Sequence, residues 1–184
     1  MPEHVILFAG PMGAGKSTAI RALSDIEVIS TEATNTDRAG ADKDTTTVGL
    51  DYGEIDLGPD EKVRLYGVPG QSRFDFMWSI LQERAMGLVV LVSATMPEPE
   101  RLVHEHLSAF APVARRGGVV IGVTHVEPGM TDLGDRIVQA AHAVIPERPT
   151  PVFALDARDP QQMRTLLLSL VADIETRIAM AVPS

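Results

Sequence analysis

Continuous apolar runs at 5–8, 87–94 and 117–124, with a shorter one at 151–155, are the strongest pattern in the chain. Runs of this length bounded by glycine or polar residues read as buried strands. Between them, apolar residues recur at helical spacing over 16–23, 74–84, 97–110, 131–144 and 161–180. In the last of these, Leu166, Leu167, Leu170, Val171, Ile174 and Ile178 form the stripe expected to face the core. Residues 47–57 and 62–67 alternate instead, and Gly58-Pro59-Asp60-Glu61 between them is a turn signal, which predicts a hairpin. Residues 30–46 are small, polar and without period, and read as one long mobile loop.

Strands alternating with helices predict an α/β fold: a mostly parallel six-stranded sheet, one antiparallel edge strand from the hairpin, and helices on both faces. With 184 residues and no repeat or linker, a single domain over 1–184 is expected.

Net charge is −9 with no basic block, which argues against nucleic acid as a general partner. A phosphate ligand would have to be held by local geometry. The absence of cysteine excludes disulfides, thiolate metal sites and cysteine-borne lipid anchors. No signal-peptide pattern precedes the first strand and no apolar run approaches a membrane span, so a cytoplasmic protein without a stable membrane anchor is expected.

The segment Gly10-Pro11-Met12-Gly13-Ala14-Gly15-Lys16-Ser17 fits G-x-x-x-x-G-K-[ST], between a strand and a helix. Its small residues let the chain wrap a phosphate with backbone N–H groups, and the helix N-terminus adds partial positive charge. Gly13, Ala14, Gly15, Lys16, Ser17 and Thr18 are therefore candidate nucleotide-binding residues. Lys16 is placed to reach the β- and γ-phosphates, Ser17 to ligate Mg²⁺, and Thr18 to donate to the α-phosphate.

Two classes compete from here. The loop resembles that of shikimate kinases and other small-molecule P-loop kinases. A second resemblance lies further on. "TVGLDYG" at 47–53 resembles switch I and the following strand of Ras-like small GTPases, and "LYGVPGQSRF" at 65–74 resembles the segment leading into their switch II. Together with "GLVVLV" and the bulky Met12, these segments resemble the small Ras-like GTPases of actinobacterial conservon-type operons, with gliding-motility GTPases as more distant relatives. The resemblance spans residue 5 to about residue 159.

It implies a small G domain of the P-loop NTPase class that binds GTP and GDP with Mg²⁺, hydrolyses GTP slowly, and signals through residues 45–53 and 70–78. It implies a roadblock-type regulatory partner. Thr47 would join Ser17 on Mg²⁺, Gly70 would bring its N–H to the γ-phosphate, and Gln71 would orient the attacking water, with Lys16 and Thr47 completing the catalytic set. Release of both loops when the γ-phosphate leaves is an order–disorder switch. Besides the kinase, a nucleotide-bound adaptor with little hydrolysis stays open at this point.

Four places depart from the Ras pattern. Residue 67 is Gly where most relatives carry an Asp that holds Mg²⁺ through water; the bacterial subgroup shares this loss. Met12 replaces a glycine and crowds the space for an arginine finger, a role for which Arg38 and Arg73 are the candidates in this chain. The base-reading N-K-x-D is replaced by Thr124-His125-Val126-Glu127, in which Glu127 would accept from the guanine edge and His125 would stack on the base. Asp156-Ala157-Arg158 stands where the family has S-A-K, so the Ala157 N–H would meet guanine O6, beside Arg158.

His104 and His106, two apart on a helix, do not face each other and are not expected to bind metal. Trp78 follows the second switch segment and reads as helix packing or as an anchor for a partner.

Overall fold

The computed structural model describes residues 4–33, 48–68 and 75–181. Seven strands form one sheet: β1 (His4–Ala9), β2 (Ile29–Ala33), β3 (Val48–Gly58), β4 (Glu61–Gly67), β5 (Ala85–Ser93), β6 (Gly118–Thr124) and β7 (Val152–Ala154). The helices are α1 (Lys16–Leu23), α2 (Asp75–Arg84), α3 (Pro99–Ala109), α4 (Ala111–Arg116), α5 (Leu133–Val144) and α6 (Pro160–Ala181).

The spatial order is β2-β3-β4-β1-β5-β6-β7. From β4 to β7 every neighbouring pair is parallel, whereas β3 is antiparallel to both β2 and β4. This corrects the expected sheet in two respects. It has seven strands rather than six, and the antiparallel strand is internal, because β2 pairs outside it. The extra strand overlaps the start of the segment 30–46 read as loop. Its sequence, ISTEA, shows no apolar run because an edge strand is solvated along one side, and Ile29 is itself half exposed.

Why the strands are apolar on both faces is visible in β1. Val5, Leu7 and Ala9 face one core, shared with Val90, Val92, Ile121 and helices α3 to α5. Ile6 and Phe8 face the other, shared with Leu91, Val120 and helices α1 and α6. A parallel sheet covered on both faces reads as an unbroken hydrophobic run. Each fully buried aliphatic side chain contributes about 1.5–3 kcal/mol relative to exposure.

Helix α1 spans the expected residues 16–23. The segment 97–110 contains α3, and Ala111–Arg116 forms the additional short α4. In α6 the buried positions are Met163, Leu166, Leu170 and Ile174. Leu166, Leu170 and Ile174 of the expected stripe face the core, Leu167 is half-buried, and Val171 and Ile178 are exposed. The stripe is narrower than its apolar residues suggest because only one side of the helix meets the sheet.

No helix among the described residues is long and apolar enough to cross a membrane.

Candidate functional site

The loop after β1 turns on glycines in the left-handed region, with φ of +147° at Gly10, +82° at Gly13 and +101° at Gly15. Gly10 allows no other residue, since a Cβ there would lie 2.0 Å from the carbonyl oxygen of Leu91. Gly15 caps α1, and Ala14 closes the turn by donating its N–H to the carbonyl of Pro11 at 3.2 Å. Met12 is almost fully exposed at the loop's outer side.

Lys16 folds back over this loop. Its ammonium donates to the carbonyl oxygens of Gly10 at 2.7 Å and Pro11 at 3.0 Å. Burial pushes its pKa down to about 8, opposed by the negative charge of Asp51. A half-buried cation with carbonyls as partners can exchange them for anionic oxygens.

Ser17 donates its hydroxyl to Oδ2 of Asp51 on β3. Asp51 was not singled out from sequence. Two features bring it here. Gly53 lets α1 lie against β3, because a Cβ there would stand 2.8 Å from both Ile20 Cγ2 and Ser24 Oγ. Ser24 then pins the contact, accepting from the N–H of Glu54 at 3.1 Å, while Asp25 donates its N–H to the Glu54 carbonyl at 2.8 Å. Since side chains alternate along a strand, Asp51 shares this face with Gly53. The hydroxyl and carboxylate are hard oxygen donors, the chemistry that suits Mg²⁺. Among the described residues no group of three or more histidines and carboxylates is placed to hold a metal ion.

A cleft of ≈ 500 Å³ opens beside the loop, across the carboxyl ends of β6 and β7. This is where open α/β sheets bind ligands. Gly15, Thr18, Thr124, His125, Ala157 and Arg158 all line it, so six expected residues from three separate segments converge. Asp156 and Gln162 join them. Glu127 is exposed and not among the lining residues; its carbonyl accepts from the N–H of Met130 at 3.2 Å.

The end of the cleft at β6 and β7 is tied together by short polar contacts. His125 adopts φ +56° and sits 3.1 Å from Ser93 Oγ through its Nδ1. Such a backbone, rare outside glycine, marks a position held by its surroundings. Arg158 forks onto the Asp156 carboxylate at 2.7–3.2 Å, and these hydrogen bonds hold Asp156 down to about 2. Gln162 accepts from the Asp156 N–H at 2.9 Å. Gln162 lies outside every motif, while Asp51 and Asp156 lie within motifs that gave them no role of their own; their places become visible only when β3, β6 and β7 are aligned beside the loop.

Thr47, Gly70, Gln71, Arg38 and Arg73, and the side chain of Trp78, lie outside the described residues. His106 is buried and His104 exposed, on the same helix.

A strand–glycine loop–helix with an inward lysine, opening onto a cleft at the sheet's carboxyl edge, defines a P-loop nucleotide-binding protein of the NTPase class. A family model described as conserved hypothetical ATP-binding protein matches residues 8–176, and the chain belongs to that family. The match names this broader family rather than the conservon-type Ras-like GTPases. No individual curated protein matches the chain significantly.

Proposed function

We propose that the protein is a GTP-binding switch with slow, partner-regulated hydrolysis. The observation that carries this reading is the placement of one hairpin. Strand β4 runs parallel to β1, and the Val68 N–H donates to the Phe8 carbonyl at 2.9 Å, two residues before Gly10. Strand β3 is antiparallel to β4, so its first residue stands at the same edge, as does Ala33 at the end of β2. The chain therefore departs after Ala33, returns at Val48, and departs again after Val68, each time at the edge carrying the phosphate loop. Ala33, Val48 and Val68, the described residues that flank segments 34–47 and 69–74, all stand at that edge, and those segments hold the proposed contacts Thr47, Gly70 and Gln71.

A small-molecule kinase has no use for two such segments on one antiparallel hairpin. In a switch, both contact the γ-phosphate and release when it leaves.

In this reading Lys16 and the loop amides hold the phosphates, and Ser17 with Thr47 holds Mg²⁺. The ion would neutralise charge on the β- and γ-phosphates. Gln71 orients water. Thr124, His125 and Ala157 hold the base, with Arg158 and Asp156 forming the rim and Glu127 reaching in from outside the cleft. A roadblock-type protein reads or completes residues 45–53 and 70–78.

Hydrogen exchange of the GDP-bound protein against the protein bound to a non-hydrolysable GTP analogue tests the switch. Protection of peptides covering 45–53 and 70–78 in the triphosphate state is expected. Identical exchange in both states would contradict a switch and leave a non-switching nucleotide adaptor.

A further inference from the structure

Asp51 stands in the middle of a row that crosses three strands. Ser30 of β2 is its register partner on one side and Gly67 of β4 on the other. Ser30 donates its hydroxyl to Oδ1 at 2.6 Å, while Ser17 donates to Oδ2. Gly67 contributes space: a Cβ built there would lie 3.0 Å from Ile20 Cδ1, 3.2 Å from Asp51 Cβ and 3.4 Å from Asp51 Oδ2. The Asp51 carboxylate thus occupies the volume into which a side chain from position 67 would project.

We infer that Asp51 supplies, from β3, the metal-facing carboxylate that β4 lacks at Gly67, with Ser30 as its positioning residue. The inference rests on the Mg²⁺–nucleotide reading above. Its chemistry follows from the hydroxyl. A serine has one proton to donate and two lone pairs to offer. Donating the proton to Asp51 leaves the lone pairs of Ser17 directed elsewhere and raises their basicity, which favours cation binding. Ser30 fixes the carboxylate's rotation, so that Oδ2 stays on Ser17. Outer carboxylates of this type typically set metal affinity by 10–100-fold. Gly67 is then required rather than defective, because an aspartate at both positions would place two carboxylates in one volume.

The test is calorimetric titration of nucleotide-free protein with GDP and ADP, each in MgCl₂ and in EDTA, for the wild type and Asp51→Asn. Asp51→Asn is expected to leave affinity in EDTA within about twofold while losing about tenfold or more of the gain conferred by Mg²⁺. Equal loss in MgCl₂ and EDTA would assign Asp51 a purely structural role and overturn the inference, as would an undiminished Mg²⁺ gain. If Asp51→Asn does not fold, the exchange Asp51→Gly with Gly67→Asp decides. A retained Mg²⁺ gain supports a carboxylate serving from this shared position, and a lost gain in the folded double variant overturns it. A wild type that binds neither nucleotide overturns the nucleotide reading itself, which is a different result from a wild type whose Mg²⁺ gain survives Asp51→Asn.

Discussion

The hydroxyl of Thr124, at the end of β6, donates to the carbonyl oxygen of Ala14 in the phosphate loop at 3.2 Å. It also lies 3.3 Å from the carbonyl of Val92 on β5. One side chain therefore links the phosphate loop to the ends of β5 and β6, which are far apart from it in sequence. Replacing Thr124 by Val keeps the shape and removes both bonds. We expect a loss of about 1–2 kcal/mol in stability by urea denaturation, with nucleotide affinity weakened as well. A variant as stable as the parent would show that the link contributes nothing.

Gly10 is the loop position with least freedom. Its φ of +147° and the 2.0 Å approach of a Cβ to the Leu91 carbonyl leave no room for Gly10→Ala without moving β5. We expect a cost of at least about 3 kcal/mol from strain and overpacking together. Thermal melts of the two proteins check this; matching melting temperatures would contradict it.

Lys16→Ala and Ser17→Asn are expected to lose tight nucleotide binding, the first by about 10–100-fold from the lost charge-assisted contact alone. Unchanged affinity in either variant would remove the phosphate loop from the account. Gln71→Leu is expected to slow hydrolysis while sparing binding, measured by single-turnover phosphate release. An unaltered rate would take Gln71 out of the mechanism.

His106 gives the fold a pH dependence. It is buried, its Nδ1 is bonded to the Leu102 carbonyl at 2.8 Å, and its Nε2 has no partner among the described residues. Burial lowers its pKa from 6.5, with the Lys16 charge acting in the same direction and the Leu102 bond and Glu105 opposing. The unfolded chain thus binds a proton that the folded one resists. Stability from this group is present above about pH 6.5 and is lost as pH falls below it toward the lowered folded value. His106→Leu is expected to flatten this part of the stability–pH curve. A variant whose curve runs parallel to the parent's from pH 7 to 5 would contradict the assignment.

What the sequence made legible is whatever its chemistry encodes locally. The loop motif and the apolar face of α1 lie within a dozen residues of each other, and both ends of that helix are where the pattern put them. Strand β2 was hidden because a solvated edge carries no apolar signature. In α6, Leu167 and Val171 look as apolar as their buried neighbours, and only the sheet beneath the helix separates them. Asp51 was hidden for a subtler reason. The hairpin register shifts between Asp56 and Gly58, so Asp51 pairs with Gly67. Counting back from an unbulged turn would place it opposite Val68 and reverse its side relative to β4. The candidate base readers converge for a reason sequence could supply, since parallel strands end at one edge. How near each comes to the cleft depends on loop conformation, as the exposed Glu127 demonstrates.

We propose that guanine nucleotides bind in the cleft between the phosphate loop and the ends of β6 and β7. The most direct test is calorimetric titration of nucleotide-free protein with GTP, GDP and ATP, each with Mg²⁺. Micromolar or tighter binding of GTP and GDP with negligible binding of ATP is the predicted result. ATP binding at equal or better affinity would contradict it and make the cleft an adenine-nucleotide site.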